Sequence, residues 1–277
     1  MITFGIVGGG WRTGAYLQVA RECPRTFTVA GMVVRDADKG ALLEAKWGVA
    51  TFRELDGLLS KRPDFIVLSV PWAVTPGLIL ELAGKGLAVL AETPPAPDQA
   101  GLEQLLGALP PGAKVQVAEQ YPFQPYLATC IAISASGKIG GISQAQVSVA
   151  HGYHGVAVMR KLLGIMAAPV TISGMTFESM RVEGPGRGGP PAKEEVKKSS
   201  QLIASLDWGG KLGVFDFTGD QYFSWIRSHR LLVRGDRGEI SGDTVRSLAD
   251  FRTPVRETLT RDQAGENSNL EGFHLKA

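Results

Sequence analysis

Glycines near the start of the chain are the first residues whose types and spacing predict chemistry. They follow the apolar run of residues 3–7 and open an amphipathic stretch; the loop consists of Gly8, Gly9, Gly10, Trp11, Arg12 and Thr13. Glycine lets the chain turn tightly there and lets a pyrophosphate approach the backbone, whose amides and positive helix end bind anions. The pattern is incomplete, since Thr13 holds the third glycine position and Gly14 comes one residue late. A plain tight turn is the alternative, but the place of the loop inside a strand–helix–strand unit favours a dinucleotide site.

The end of the next apolar run is the second point of chemical interest, and it reads Val34, Arg35 and Asp36. In a dinucleotide-binding fold this corner meets the adenosine ribose, where an acid favours NAD and an arginine accommodates the 2′-phosphate of NADP. Position 34 carries no acid. Arg35 could grip a 2′-phosphate, lie over the adenine, or form a solvated turn with Asp36. We therefore expect the cofactor to be NADP or NAD, with a slight preference for NADP.

A third group places two of the four histidines and a tyrosine within four residues, as His151, Tyr153 and His154. The ordinary pKa of histidine lies near neutrality, so His154 could serve as acid or base, with Tyr153 or His151 orienting it. A structural histidine is the equally weighted alternative. Glu119 and Tyr121 could line the same pocket or act as hinge and core residues.

The elements that must position these residues alternate along the first part of the chain. Apolar runs predict strands at residues 3–7, 28–34, 65–70, 88–91 and 114–118. Amphipathic stretches predict helices at residues 14–21, 38–47, 53–59, 76–85 and 98–109. Strand and helix in regular alternation predict an α/β fold whose N-terminal domain, residues 1–120, is a doubly wound parallel sheet of the Rossmann type.

The pattern changes after about residue 120. A helix at residues 123–136, a strand at 141–150 and a helix ending at Gly164 precede strands at residues 170–178, 201–208, 211–218 and 229–234. This order predicts a C-terminal α+β domain, residues 121–277, with a largely antiparallel open sheet. Residues 183–191, rich in glycine and proline, predict a mobile loop. The tail from Thr260 is polar and weakly patterned, which leaves open a continuation of the natural chain past residue 277.

Composition narrows the possible partners. The 277 residues carry a formal net charge of +2, so no large field would steer the protein toward nucleic acid or an anionic membrane. Cys23 and Cys130 stand far apart without metal-ligand spacing, so neither a metal site nor a disulfide framework is predicted. The N-terminus lacks the features of a signal peptide, and no apolar run reaches the ~18 residues that span a bilayer. We expect a cytoplasmic protein.

Taken together, these residues resemble the Gfo/Idh/MocA oxidoreductases, which pair a Rossmann domain with a substrate-binding α/β domain. The resemblance runs through residues 8–14, 69–75, 90–94, 117–121, 137–140, 154 and 162–164. It implies an NAD(P)-dependent oxidoreductase that acts on a small molecule, a sugar, cyclitol or related polyol, by hydride transfer. It also implies a homo-dimer or higher homo-oligomer formed through the open sheet face.

The resemblance implies roles for further residues. Besides the glycine loop, Val34 and Arg35, the implied cofactor-binding residues are Ser69, Pro71, Trp72 and Glu92. Trp11 and Trp72 are expected to border the cofactor groove, with packing as the alternative. A distal aromatic group is expected to pack the second domain; it comprises Phe215, Phe217, Tyr222, Phe223 and Trp225.

Two departures from the family concern catalysis. The family's Glu-Lys-Pro reads Glu92, Thr93 and Pro94 here, and Ala157 stands where the family's Asp is expected, three residues after His154. Hydride transfer from a hydroxyl-bearing carbon needs a group that takes the hydroxyl proton. The catalytic candidates are therefore His154, Tyr153 and Thr93. The alternatives are a cofactor-binding regulatory protein that has lost turnover, and a lyase or hydrolase that recycles bound cofactor.

Overall fold

A computed structural model describes residues 1–263 and 271–276 of the chain. The chain divides into two units, Met1–Glu119 and Gln120–Ala277. The predicted α/β fold, with a parallel Rossmann sheet followed by a largely antiparallel sheet, is confirmed.

The N-terminal unit is built on a six-stranded sheet in the order β3-β2-β1-β4-β5-β6, with every neighbouring pair parallel. Its strands are β1 Ile2–Val7, β2 Phe27–Val33, β3 Thr51–Phe52, β4 Phe65–Leu68, β5 Ala88–Ala91 and β6 Val115–Val117. Its helices are α1 Thr13–Glu22, α2 Ala37–Trp47, α3 Leu55–Leu59, α4 Thr75–Gly84 and α5 Gln99–Ala108.

The apolar strand runs are continuous because both faces of this sheet are covered. Along β4, Ile66 and Leu68 belong to one core, which includes Leu82 of α4. Val67, between them, belongs to the core on the other face with Leu17 of α1. Successive side chains of a strand point to opposite faces, so a strand buried on both sides needs apolar residues at every position.

The strand order reverses between β1 and β4, and the glycine loop begins at this point. Gly8 has φ +122°, and a Cβ there would stand 2.0 Å from the carbonyl oxygen of Ser69, the residue that follows β4. The Gly8 amide also donates to the carbonyl of Val33 at 3.0 Å. Only glycine fits this close approach. The loop therefore lies at the carboxyl ends of the strands, where open α/β sheets bind their ligands.

The C-terminal unit contains a nine-stranded sheet in the order β15-β14-β13-β12-β11-β7-β10-β9-β8. Its strands are β7 Ile142–Ser148, β8 Thr171–Val182, β9 Val196–Asp207, β10 Leu212–Thr218, β11 Arg230–Gly235, β12 Gly238–Ser241, β13 Thr244–Leu248, β14 Pro254–Gln263 and β15 Glu271–Lys276. The pairs are antiparallel except β7 and β10, which run parallel. Helices α6 Pro125–Ala135 and α7 Gly152–Leu163 contribute to the core of this unit.

Several boundaries differ from the expectations. The predicted helix at residues 123–136 starts at Pro125, because Gln124 precedes that proline and is extended, with ψ 132°. The strand expected at 201–208 begins already at Val196. The tail from Thr260 was expected to be weakly patterned, but the end of β14 and all of β15 lie in it; residues 264–270 are outside the described part of the chain. Residues 183–191 form no helix or strand, only a bridge between Gly186 and Gly189.

Candidate functional site

The glycine loop presents an open surface at Gly10. Among the described residues, none lies within 4 Å of the point where a Cβ of Gly10 would stand. Helix α1 starts two residues after Trp11 with no acidic residue in its first turn, and no described side chain hydrogen-bonds to cap it. A helix start of this kind attracts anions. The space above Gly10 and the helix end next to it fit a phosphate group.

Thr13, at the third glycine position, has a fully buried side chain whose hydroxyl finds no hydrogen-bond partner in the described part of the chain. Its amide donates to the carbonyl of Gly10 at 3.2 Å. Thr13 thus packs beneath the loop, and its side chain does not face the open surface. A contact between Thr13 and the predicted cofactor would therefore have to come from its backbone.

Arg12 and Glu92, both predicted to bind cofactor, meet across the sheet. The Arg12 Nε lies 2.9 Å from Glu92 Oε1, and the Tyr16 hydroxyl donates to the same oxygen at 2.5 Å. Burial, followed by the hydrogen bond from Tyr16 to the Glu92 carboxylate, raises the pKa of the Tyr16 phenol far above its ordinary value. Glu92 is held in place beside the start of α1. Tyr16 was not predicted, although its spacing of four residues from Arg12 on α1 places both on one helix face.

The corner after β2 is positively charged. Val34 is buried and Arg35 is exposed. The Asp36 carboxylate caps α2 by accepting from the Lys39 amide at 3.0 Å. The Arg53 guanidinium donates to the Val34 carbonyl at 2.7 Å. The Asp36 carboxylate is therefore engaged by its own helix.

Lys39 is a residue that sequence reasoning missed. Its Cε lies 3.3 Å from the point where a Cβ of Gly9 would stand, so its side chain lies across the glycine loop. The signal available in the sequence was weak: a lysine in the first turn of the helix after the second strand is ordinary surface composition. The contact depends on the absence of a side chain at Gly9.

The remaining predicted cofactor residues follow β4. The Ser69 amide donates to the Val7 carbonyl at 2.9 Å, and the Pro71 carbonyl accepts from the Val74 amide at 3.0 Å in the turn that opens α4. Trp72 is 54% exposed and Trp11 is 71% exposed. Neither tryptophan is a core residue of the N-terminal unit, so packing does not explain them. Thr93, half-buried, follows Glu92 after β5.

In the C-terminal unit, the predicted histidine cluster is assembled at the start of α7. His154 is 6% exposed, and its ring lies against the rings of Tyr153, Tyr121 and His151. The centroid distances are 4.4, 4.7 and 4.9 Å, respectively. Ala157, one turn later, offers no ionisable group. His154 is therefore the buried member of an aromatic group, while His151 and Tyr153 are exposed.

Tyr222 joins this cluster in addition to its expected packing role, whereas Phe223 and Trp225 of the same aromatic group are exposed and do not pack the second domain. The Tyr222 ring does pack on Phe217, with centroids 5.0 Å apart. Its hydroxyl, however, lies 2.6 Å from Nδ1 of His151 and accepts from the His151 amide at 3.0 Å. Sequence reasoning missed this contact because 71 residues separate the partners.

In residues 1–263 and 271–276 no group of three or more His, Cys, Asp or Glu side chains could hold a metal ion. None of the helices in the same part of the chain has the length and apolar character needed to cross a membrane.

Comparison with known proteins gives the class. Residues 2–118 match the oxidoreductase family with an NAD-binding Rossmann fold, so the N-terminal unit is an NAD-binding Rossmann domain of an oxidoreductase family. Over these residues the resemblance to the Gfo/Idh/MocA oxidoreductases that was read from the sequence is confirmed. No curated protein matches the sequence.

Solved structures share the fold over most of the chain. An oxidoreductase from Agrobacterium radiobacter, in complex with NAD+, L-tartaric acid and magnesium, is 14% identical, with TM-score 0.69, and the match covers 92% of this chain and 78% of the other. The WlbA dehydrogenase from Chromobacterium violaceum, in complex with NADH and UDP-GlcNAcA, is 16% identical, with TM-score 0.65 and coverage of 90% and 78%. A putative myo-inositol dehydrogenase from Sinorhizobium meliloti is 16% identical, with TM-score 0.66 and coverage of 92% and 81%.

Proposed function

We propose that the protein is an NAD(P)-dependent oxidoreductase that transfers a hydride between the cofactor and a hydroxyl-bearing carbon of a sugar, cyclitol or related polyol. The observation that carries the proposal is the open glycine loop at the point where the strand order reverses. Gly8 is required there by the fold, but Gly10 is not, since the space at its Cβ is empty of described residues. A glycine with no packing role of its own suits a surface that a pyrophosphate approaches.

The residues around the loop fit such a cofactor. We assign the pyrophosphate to the backbone of residues 8–13, the adenosine end to Val34, Arg35 and Lys39, and the nicotinamide end to residues after β4 and β5. That last group comprises Ser69, Pro71, Trp72 and Glu92. When bound, the nicotinamide supplies or accepts the hydride; the chain supplies orientation and the proton.

The substrate class is supported by the similar structures and by the proton-accepting side chain that this chain retains. Dehydrogenases of a sugar nucleotide and, putatively, of myo-inositol share this fold. Oxidation of a hydroxyl-bearing carbon releases one hydroxyl proton for each hydride. We assign that proton to His154, because Thr93 has replaced the family lysine and a threonine hydroxyl is not a strong base near neutral pH.

Replacing His154 tests this assignment. Loss of a general acid or base typically costs about 10²–10⁴ in rate, so His154→Ala should lower turnover by that order while NAD(P)H binding stays intact. Thr93→Ala is the matched control and should change turnover much less. The measurement is steady-state NAD(P)H formation with a polyol panel, combined with calorimetric cofactor titration. A His154→Ala variant that turns over at the wild-type rate contradicts the assignment.

A second candidate function is a cofactor-binding regulatory protein without turnover, favoured by the two departures at Thr93 and Ala157. Tight dinucleotide binding without consumption in the same polyol panel would support it. A lyase or hydrolase that recycles its cofactor would instead form product with no net change in NAD(P)H. The panel therefore separates all three classes.

We further propose that NADPH binds at least as well as NADH. Arg35 and Lys39 bring positive charge to the corner after β2, while the Asp36 carboxylate caps α2 and is turned toward the Lys39 amide. A 2′-phosphate gains charge-assisted hydrogen bonds from such a pair and meets no carboxylate at position 34.

Calorimetric titration of both cofactors tests this preference. Arg35→Ala and Lys39→Gln should each weaken NADPH binding by about tenfold, the order expected for a hydrogen bond to a charged group, and leave NADH binding nearly unchanged. Lys46→Gln, at the other end of α2, is the control. Equal loss for NADPH and NADH would point to adenine stacking, and no loss for either would point to a solvated turn.

We also propose a homo-dimer or higher homo-oligomer. The edge strand β8 exposes apolar side chains; among them are Ile172, Met175, Phe177 and Met180. An exposed apolar edge strand of this length is suited to a second copy of the chain.

Phe177→Lys should lower the mass found by sedimentation, whereas Met166→Lys, an exposed apolar site outside the sheet, should not. A single-chain mass for the wild type at micromolar concentration contradicts the proposal.

A further inference from the structure

Tyr222 and His151 are brought together by the one parallel pair within the described sheet of the C-terminal unit. Strands β7 and β10 run side by side in the same direction, with Val147 opposite Phe215. Their carboxyl ends therefore lie at the same edge of the sheet. His151 follows β7 at the start of α7, and Tyr222 ends the 3₁₀ turn Gly219–Tyr222 after β10.

The Tyr222 hydroxyl makes two contacts with one residue. It accepts from the His151 amide at 3.0 Å, and it lies 2.6 Å from Nδ1 of the same imidazole. The amide contact fixes the hydroxyl oxygen relative to the backbone, and the second contact fixes the ring relative to the oxygen. The His151 ring is thereby held in one orientation although the residue is exposed.

A tyrosine hydroxyl can serve both protonation states of this ring. It has one proton to donate and two lone pairs to accept. One lone pair takes the His151 amide. The second lone pair accepts from Nδ1–H of the ring, so the neutral imidazole keeps its proton on Nδ1 and its Nε2 can take a second proton. The same contacts hold His151 before and after it gains a proton.

His154 needs such a neighbour. Only 6% of its surface is exposed, so His154 meets little solvent directly. His151 is exposed, and the centroid of its ring lies 4.9 Å from that of His154. The two rings lie edge to face at an interplanar angle of 78°, so the exposed imidazole of His151 is a direct neighbour of the buried one.

We propose that His151 carries the proton between His154 and solvent, and that Tyr222 is the positioning residue that holds it for this transfer. The inference rests on the proposed function, in which His154 takes the hydroxyl proton of the substrate. During oxidation the carbon loses a hydride to NAD(P)+ and the hydroxyl loses its proton to His154. His154 then passes a proton to Nε2 of His151, which releases it to water, so both imidazoles return to their neutral state.

The first test uses the free protein and needs no substrate. Long-range 1H–15N spectra report the tautomer of each imidazole, with the His151 signals assigned from their loss in His151→Gln. The wild type and Tyr126→Phe should show neutral His151 with its proton on Nδ1. Tyr222→Phe keeps the ring on Phe217 and should populate both tautomers. Tyr126→Phe is a matched control because its hydroxyl also binds the unit, at the Gly242 carbonyl. Unchanged His151 signals in Tyr222→Phe would overturn the positioning role.

The second test measures the transfer itself, as the exchange rate of the His154 ring N–H with water. His151→Gln and Tyr222→Phe should slow this exchange by about tenfold or more, and Tyr126→Phe should not. An unchanged rate in His151→Gln would overturn the proposed route.

With a substrate in hand, Tyr222→Phe should lower kcat and leave KM unchanged. Imidazole in the buffer should restore turnover to His151→Ala but not to His154→Ala. Failure to bind any dinucleotide would refute the proposed function, while the two measurements on the free protein would still decide the role of His151.

Discussion

The close approach of two strand ends is the constraint on which the N-terminal unit depends. Because β1 and β4 are neighbours while their connections leave in opposite directions, the residue after β1 must pass beside the Ser69 carbonyl. Gly8 meets this requirement with φ +122° and no Cβ. A side chain there would stand 2.0 Å from that oxygen. The position of the whole loop follows from this single contact, and the loop in turn sets where α1 begins.

Once the loop is placed, neighbouring elements bring charged groups to it from three directions. Helix α1 carries Arg12 to the Glu92 carboxylate after β5, and helix α2 lays Lys39 across Gly9. Positive charge at the corner after β2 and the fixed Glu92 carboxylate after β5 give the loop two chemically distinct ends. A dinucleotide also has two distinct ends, which is why the arrangement supports an oriented cofactor better than it supports a simple phosphate site.

In the C-terminal unit, a different pair of strands positions the candidate groups for proton transfer. The family positions that usually hold ionisable groups carry Thr93 and Ala157 here, so any proton transfer must use other side chains. The parallel neighbours β7 and β10 end at one edge and deliver His151, His154 and Tyr222 to it.

The sequence predicted correctly those elements whose residue pattern follows directly from their own burial. Every predicted strand of the N-terminal unit is present, because strands buried on both faces require uninterrupted apolar runs. It was uninformative for β14, because the inward positions Val255, Glu257 and Leu259 include a charged residue that interrupts the apolar alternation. Tyr16, Lys39 and Tyr222 were missed because their partners come from other elements. Tyr16 reaches Glu92 across 76 residues, and no spacing rule connects them.

Calorimetric titration of NADPH and NADH into the Gly10→Val variant tests the central claim most directly. The described structure leaves space for a side chain at Gly10, so the variant should unfold at the wild-type temperature. Its side chain would occupy the surface that the pyrophosphate needs, so binding of both cofactors should weaken by about 100-fold or more, a loss of ~2.7 kcal/mol. Gly107→Val in α5, where the described residues also leave space, is the control and should bind as the wild type does. A folded Gly10→Val protein that binds either cofactor with wild-type affinity would contradict the account.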